Sequence, residues 1–246
     1  KNEKSLSEVL KWSWNREEPK KEFIKTNENI NLNSLKNREH YALWIGHSTF
    51  LINNGDLTIL TDPIFSERAS PLNFAGPKRL IKPVIKIKDL PEIDVITISH
   101  NHYDHLDINS LRKIQKKFPN VKILVPKGDL KLLKNYNLNN GFEFLWWEEI
   151  IFDNTKFIFT PAQHWSARGL RDRNKSLWGS WFIKNEDKNI FHAGDTGYSD
   201  DFIEIRNRLG AVDFAMIPIG AYDPQWFMSY SHVNPEEALN IAKDLD

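Results

Sequence analysis

Apolar positions along the chain gather into short runs rich in β-branched and aromatic residues, spaced by turn residues and charged stretches. The runs at 41–46, 50–52, 57–63, 93–98, 121–125, 157–160, 178–183, 189–192 and 212–218 predict strands. Gly55 marks a turn between two of them, so the chain is expected to begin with antiparallel strands. Helical spacing appears at 107–118, where Leu111, Ile114 and Phe118 share a face and Asp107 is the predicted N-cap. It recurs at 129–134 and 202–209. Asn234, with Pro235 after it and Glu237 three positions on, predicts a further helix start. Strand, helix and strand alternate through the middle of the chain, which predicts an α/β architecture.

At the N-terminal end, Ser5 or Ser7 could cap a helix carrying Leu6, Val9 and Leu10 on one face, with Trp12 and Trp14 beside it. Packing against the domain and contact with a lipid or substrate both suit such a segment. Residues 15–38 are charged and Asn-rich without a period, and are expected to form an irregular connector. Two units follow, an N-terminal segment at 1–38 and a single domain at 39–246. The stretch 63–92, with Pro71, Pro77, Lys78, Arg79, Pro83 and Pro91, predicts a long structured loop of the kind that lines binding sites.

Charge and composition then narrow the chemistry. The 33 basic and 33 acidic residues cancel, which argues against nucleic acid as the main partner. The absence of Cys excludes disulfides, thiolate metal sites and a Cys nucleophile, leaving His and carboxylates as the strong ligands. No run approaches the roughly 18 apolar residues of a membrane span. The compartment stays open, with a soluble or peripheral protein expected.

The informative stretch is Ser99-His100-Asn101-His102-Tyr103-Asp104-His105-Leu106-Asp107, directly after the 93–98 strand. In extended backbone alternate side chains share a face, so His100 and His102 can grip one ion. A following turn would carry Asp104 and His105 to a second point nearby, the arrangement a two-metal hydrolase needs. Imidazole and carboxylate ligands suit zinc, with iron and manganese as alternatives.

Other candidates are single residues. His164, after the 157–160 strand, is the best third imidazole for the first point, and Asp195, flanked by Gly194 and Gly197, can turn inward and bridge two cations. Asp62 could orient a ligating imidazole or cap a turn, and His47, beside Gly46, is either a site residue or a surface His. His192 is assigned to packing.

The order Gly46-His47-Ser48, Thr61-Asp62-Pro63, His100-x-His102-x-Asp104-His105, His164 and Gly194-Asp195-Thr196-Gly197 resembles the metallo-β-lactamase superfamily. More narrowly, the runs 60–72, 76–79, 98–106, 160–165, 177–181, 193–198 and 217–237 resemble the N-acyl-phosphatidylethanolamine-hydrolysing phospholipase D family. The resemblance implies a four-layer αββα sandwich with the metals at one edge. It implies two zinc ions, one on His100, His102 and His164, the other on Asp104 and His105, with Asp195 shared. The implied reaction releases N-acylethanolamine and phosphatidate by attack of a metal-bridged hydroxide on phosphorus. Asp104 and His232 become the catalytic candidates, and Gln163, Tyr222 and His232 the substrate contacts. A phospholipid substrate, peripheral membrane contact through the N-terminal segment and a homodimer are also implied.

One departure stands out. The family supplies a further His to the second ion from a segment beyond the Pro235-Glu236-Glu237 helix, and this sequence ends before it. The expectation is a C-terminally incomplete domain whose second site is one ligand short. The competing expectations are a hydrolase of a soluble phosphodiester or lactone, and a metal- and lipid-binding module without turnover.

Overall fold

The computed structural model describes residues 40–72, 74–221 and 223–246, together with Ser7, Lys11, Trp14 and Leu35. Ser7, Lys11 and Trp14 are helical and exposed. The remaining expectations for 1–38, including the lipid-facing segment, and the one for Tyr222 lie outside the described residues.

Six strands form the first sheet in chain order: β1 (His40–Gly46), β2 (Thr49–Asn54), β3 (Thr58–Thr61), β4 (Val95–Thr97), β5 (Lys122–Pro126) and β6 (Gly141–Phe144). The β1–β2–β3 pairings are antiparallel and the rest parallel. Parallel neighbours need crossovers, and α1 (Ile108–Lys117) and α2 (Leu130–Asn135) supply two of them. The second sheet runs β11 (Phe214–Met216), β10 (Asn189–His192), β9 (Ser180–Lys184), β8 (Thr155–Thr160), β7 (Glu149–Phe152). Its pairings are antiparallel apart from β10 with β11, which are joined through α3 (Asp201–Leu209). The short α4 (Gln225–Met228) and α5 (Pro235–Leu245) follow.

Two-residue periodicity sorts the strand residues into three apolar layers. Leu51, Leu60, Ile96 and Ile123, paired in register across four strands, pack with Leu111 and Ile114 of α1. Their neighbours Ile59, Val95 and Leu124 face the other way and meet Phe157, Phe159, Trp181 and Ile183 of the second sheet. Ile158, Phe182 and Phe191, alternating with that set, pack on Phe202 and Ile205 of α3 and Ile241 and Leu245 of α5. Helix, sheet, sheet and helix layers follow from this alternation, giving the αββα sandwich.

The expected caps are in place. Asp107 accepts from the Asn109 amide at 3.0 Å. Asn234 and Glu237 exchange hydrogen bonds at 2.8 and 3.0 Å as a capping box. The strands β6 and β7 and the turn of helix α4 are additions to the expected elements. Among the described residues no helix is long and apolar enough to cross a membrane.

Candidate metal centre

Every candidate ligand leaves the sandwich at one edge. Asp62 follows β3, the Ser99–Asp107 stretch follows β4, His164 follows β8, Asp195 follows β10, and His47 sits in the β1–β2 turn. The edge is braced by backbone bonds: Asp62 N donates to the Thr97 carbonyl at 2.9 Å, and Gly179 N to the Ser99 carbonyl at 3.0 Å.

At the first point, His100 Nε2 lies 2.8 Å and His164 Nε2 3.3 Å from His102 Nδ1. The far nitrogen of His164 donates to the Ser231 carbonyl at 2.8 Å, so its Nε2 lone pair faces the cluster. Burial first of all, then neighbouring imidazoles, holds His100 well below the ordinary imidazole value. Burial likewise lowers His102 to about 4 and His164 to about 3. All three are therefore neutral near pH 7, the state in which imidazole binds a metal.

A turn follows at once, with Leu106 N donating to the His102 carbonyl at 2.9 Å, and it carries Asp104 and His105 to a second point as expected. His105 Nδ1 meets Asp62 Oδ2 at 2.7 Å and its Nε2 stands 3.3 Å from Asp195 Oδ2 and 3.7 Å from Asp104 Oδ2. Burial opposes charge on His105, but the Asp195 and Asp104 carboxylates and the bonds to Asp195 and Asp62 outweigh it and raise its pKa well above the ordinary value. Burial also opposes charge on Asp195 and Asp104. His105 beside both overcomes it, and both are held below the usual carboxylate range.

Asp62, for which the sequence left turn capping and imidazole orientation open, is hydrogen-bonded to His105. Wholly buried, it accepts from Ser99 N (2.7 Å), Ser99 Oγ (2.6 Å) and His105 Nδ1 (2.7 Å). His47 is also at the site: its Nε2 is 3.0 Å from Asp104 Oδ2. Asp195 Oδ2 lies between the two points, 3.3 Å from His105 Nε2 and 3.9 Å from His164 Nε2, with His232 Nδ1 at 3.7 Å. Gly194 turns the chain there with φ +62°, and a Cβ on it would stand 2.5 Å from Ser99 Cβ.

His192 and Gln163 lie beside the site. His192 is buried behind the site, 3.3 Å from Ser48 Oγ and 3.9 Å from Asp62 Oδ2, in keeping with packing. The Gln163 side chain donates to the Tyr230 carbonyl at 3.0 Å, which ties the His164 loop to the segment before His232.

Sequence reasoning passed over Ser99 and Arg168. Ser99 Oγ stands 3.0 Å from His100 Nδ1 as well as serving Asp62. Arg168 Nη1 donates to the carbonyls of Asn101 and Leu106, both at 2.8 Å, and its guanidinium lies 4.0 Å from the Tyr103 ring centre, strapping the loop from both ends. Ser99 stood inside the motif and its neighbours signalled it; nothing in the sequence around Arg168 did.

The residues fit a metal ion. Three lone pairs converge from His100, His102 and His164, and a single electron-pair acceptor satisfies them together. His47, Asp104 and His105 form a second such group, and His100, His105 and Asp195 a third that links the two.

Residues 58–246 match the family described as beta-lactamase superfamily domain. The chain is 42% identical over 213 residues to N-acyl-phosphatidylethanolamine-hydrolyzing phospholipase D 1 of Caenorhabditis elegans, covering 82% of this chain and 60% of that protein. It is 41% identical over 214 residues to the mitochondrial N-acyl-phosphatidylethanolamine-hydrolyzing phospholipase D of Saccharomyces cerevisiae, covering 84% of this chain and 45% of that one. The chain thus spans about half the length of these relatives. Its fold is similar to that of Igni18, a metallo hydrolase from the archaeon Ignicoccus hospitalis, with a TM-score of 0.61 at 22% identity over 83% of this chain and 77% of that one.

Proposed function

The chain belongs to the beta-lactamase superfamily, and from that membership we propose that it is a metal-dependent phosphodiesterase using two zinc ions to hydrolyse N-acyl-phosphatidylethanolamine. The observation that carries the reading is the position of Asp195 Oδ2 between two groups of ligands, one of them made of imidazoles held neutral by burial. The substrate is supported by the likeness to the two phospholipases.

Zinc bound there supplies charge stabilisation at the phosphoryl oxygens and lowers the pKa of water. The water oxygen bonds to phosphorus, the bond from phosphorus to the ethanolamine oxygen breaks, and the products are phosphatidate and N-acylethanolamine. Asp62 and the Ser231 carbonyl fix the tautomers of His105 and His164, so that the geometry exists before substrate arrives. His232, partly exposed and 3.7 Å from Asp195, is placed to hold a phosphoryl oxygen or pass a proton to the departing alkoxide. Exposed Leu72, Phe74 and Leu170, with Arg68, Lys78 and Arg171 near them in sequence, support a peripheral contact with lipid.

The test is product mass after zinc-loaded protein is incubated with N-acyl-phosphatidylethanolamine in mixed micelles. N-acylethanolamine with phosphatidate is the expected pair. Metal bound without either product would move the assignment to a soluble phosphodiester or a lactone.

A further inference from the structure

We propose that Asp129 is a positioning residue of the first metal point, a neutral carboxylic acid joined by two hydrogen bonds to the Asn101 side chain and holding His100 and His102 from behind. The proposal rests on the reading of His100, His102 and His164 as ligands, and adds what fixes them and in which protonation state.

Asn101 stands between His100 and His102, but its buried side chain turns into the domain, where Nδ2 donates to Asp129 Oδ1 at 2.9 Å. Asp129 lies just before α2, where a carboxylate ordinarily caps the helix; it makes no such bond. Instead its buried Oδ1 accepts a second hydrogen bond, from Ser176 Oγ at 2.8 Å. The Ser176 carbonyl in turn accepts from Ser166 Oγ, two residues past His164. One carboxyl group therefore ties the segment bearing His100 and His102 to the loop that follows His164.

Two buried acceptors in this network have no partner, Asn101 Oδ1 and Asp129 Oδ2. Each is costly to leave bare. A single proton on Asp129 Oδ2, donated to Asn101 Oδ1, satisfies both and closes a ring of one N–H···O and one O–H···O bond. The surroundings favour that proton. Burial first of all pushes the Asp129 carboxyl up to about 6, against the bonds from Asn101 and Ser176 and the nearby Arg168 guanidinium, with Glu143 adding to the push. A hydrogen bond given by the acid form carries it further in the same direction. Asp107, Lys131, Asp172 and Lys175 line the cavity of about 650 Å³ beside the pair, two charges of each sign.

Asp129→Asn separates an acid from a carboxylate, because a carboxamide can take the acid's place in the ring without charge. Infrared spectra of the zinc-loaded protein at pH 6 should show the C=O stretch of a buried protonated carboxyl that is missing from the variant. Between pH 4.5 and 8.5 the parent's unfolding constant should rise about tenfold or more relative to the variant's, since Asp129 gives up its proton at lower pH unfolded than folded. First-ion zinc affinity, by chelator competition, and the cobalt(II) visible spectrum should be the same in Asp129→Asn and the parent. Asp129→Leu, which strips Asn101 of both bonds, should bind the first ion about tenfold or more weakly and shift the cobalt band. A pH-independent ratio without the carboxyl band, or zinc binding as weak in Asp129→Asn as in Asp129→Leu, would overturn the acid. Parental zinc affinity in a folded Asp129→Leu would overturn the positioning role; if that variant does not fold, the Asp129→Asn results decide alone. None of these measurements involves substrate, so a micelle assay without product removes the lipid assignment and leaves this one standing.

Discussion

Asp62→Asn is the sharpest probe of the centre, because it removes one charge and almost no volume. The carboxylate accepts three hydrogen bonds of 2.6–2.7 Å while wholly buried. Asn can still accept from Ser99 N, but its amide then presents N–H either to the Ser99 hydroxyl or to His105 Nδ1, and His105 loses its anionic partner. Hydrogen bonds to a charged group contribute about 1.5–3 kcal/mol against about 0.5–1.5 for neutral pairs, so losing one and weakening two costs about 3–6 kcal/mol. The backbone should not object, since Asp62 sits at φ +35° and Asn tolerates that region. Metal affinity at the His105 point should fall about 10- to 100-fold, with a smaller loss at the His164 point. Urea unfolding of the metal-free protein and chelator competition measure the two effects. A folded variant with parental affinity at both points would refute the orienting role of Asp62.

Gly194→Ala places a methyl 2.5 Å from Ser99 Cβ at φ +62°, and should cost about 1–3 kcal/mol of stability and weaken zinc binding through Asp195, measured by thermal unfolding and chelator competition. Trp181→Phe leaves the Ile98 carbonyl, now bonded to Trp181 Nε1 at 2.8 Å, without a donor in the core, and should cost about 1–3 kcal/mol in urea unfolding. Metal-free protein should lose stability as pH falls from 6.5 towards 4, since unfolding raises the pKa values of His100, His102 and His164, and the unfolded chain then binds more protons. His105 works oppositely: its raised pKa adds stability that is full below 6.5 and is lost as pH rises through the folded value. Urea unfolding from pH 4 up to well above pH 7 checks both, the first below 6.5 and the second above it. Calorimetry near pH 7 in buffers of different ionisation enthalpy should show almost no proton released by the first zinc and about one by the second, from His105.

The sandwich was legible where strands are buried on both faces, because runs such as 121–125 and 157–160 leave no other use for so many apolar residues. The strands β6 and β7 were not, since Gly141-Phe-Glu-Phe and Glu149-Ile-Ile-Phe lie at sheet edges, half exposed, with Gly and Glu diluting the signal. At the centre, four candidate ligands in six positions announce themselves, and a turn among them was the way to bring all four to one edge. His47 and Asp62 could not be placed from spacing alone, because both depend on strands that meet only after folding. Arg168 was silent for a similar reason: its partners are backbone carbonyls, which every residue has.

The two sheets divide the candidate ligands between them. His47, His100, His102, Asp104 and His105 belong with the first six strands, whereas His164 and Asp195 come from beyond β7. A cation held at the edge would therefore work as a rivet between two leaves. Cut in the 145–148 turn, each piece would carry an incomplete site, and zinc should govern how tightly the pieces reassemble.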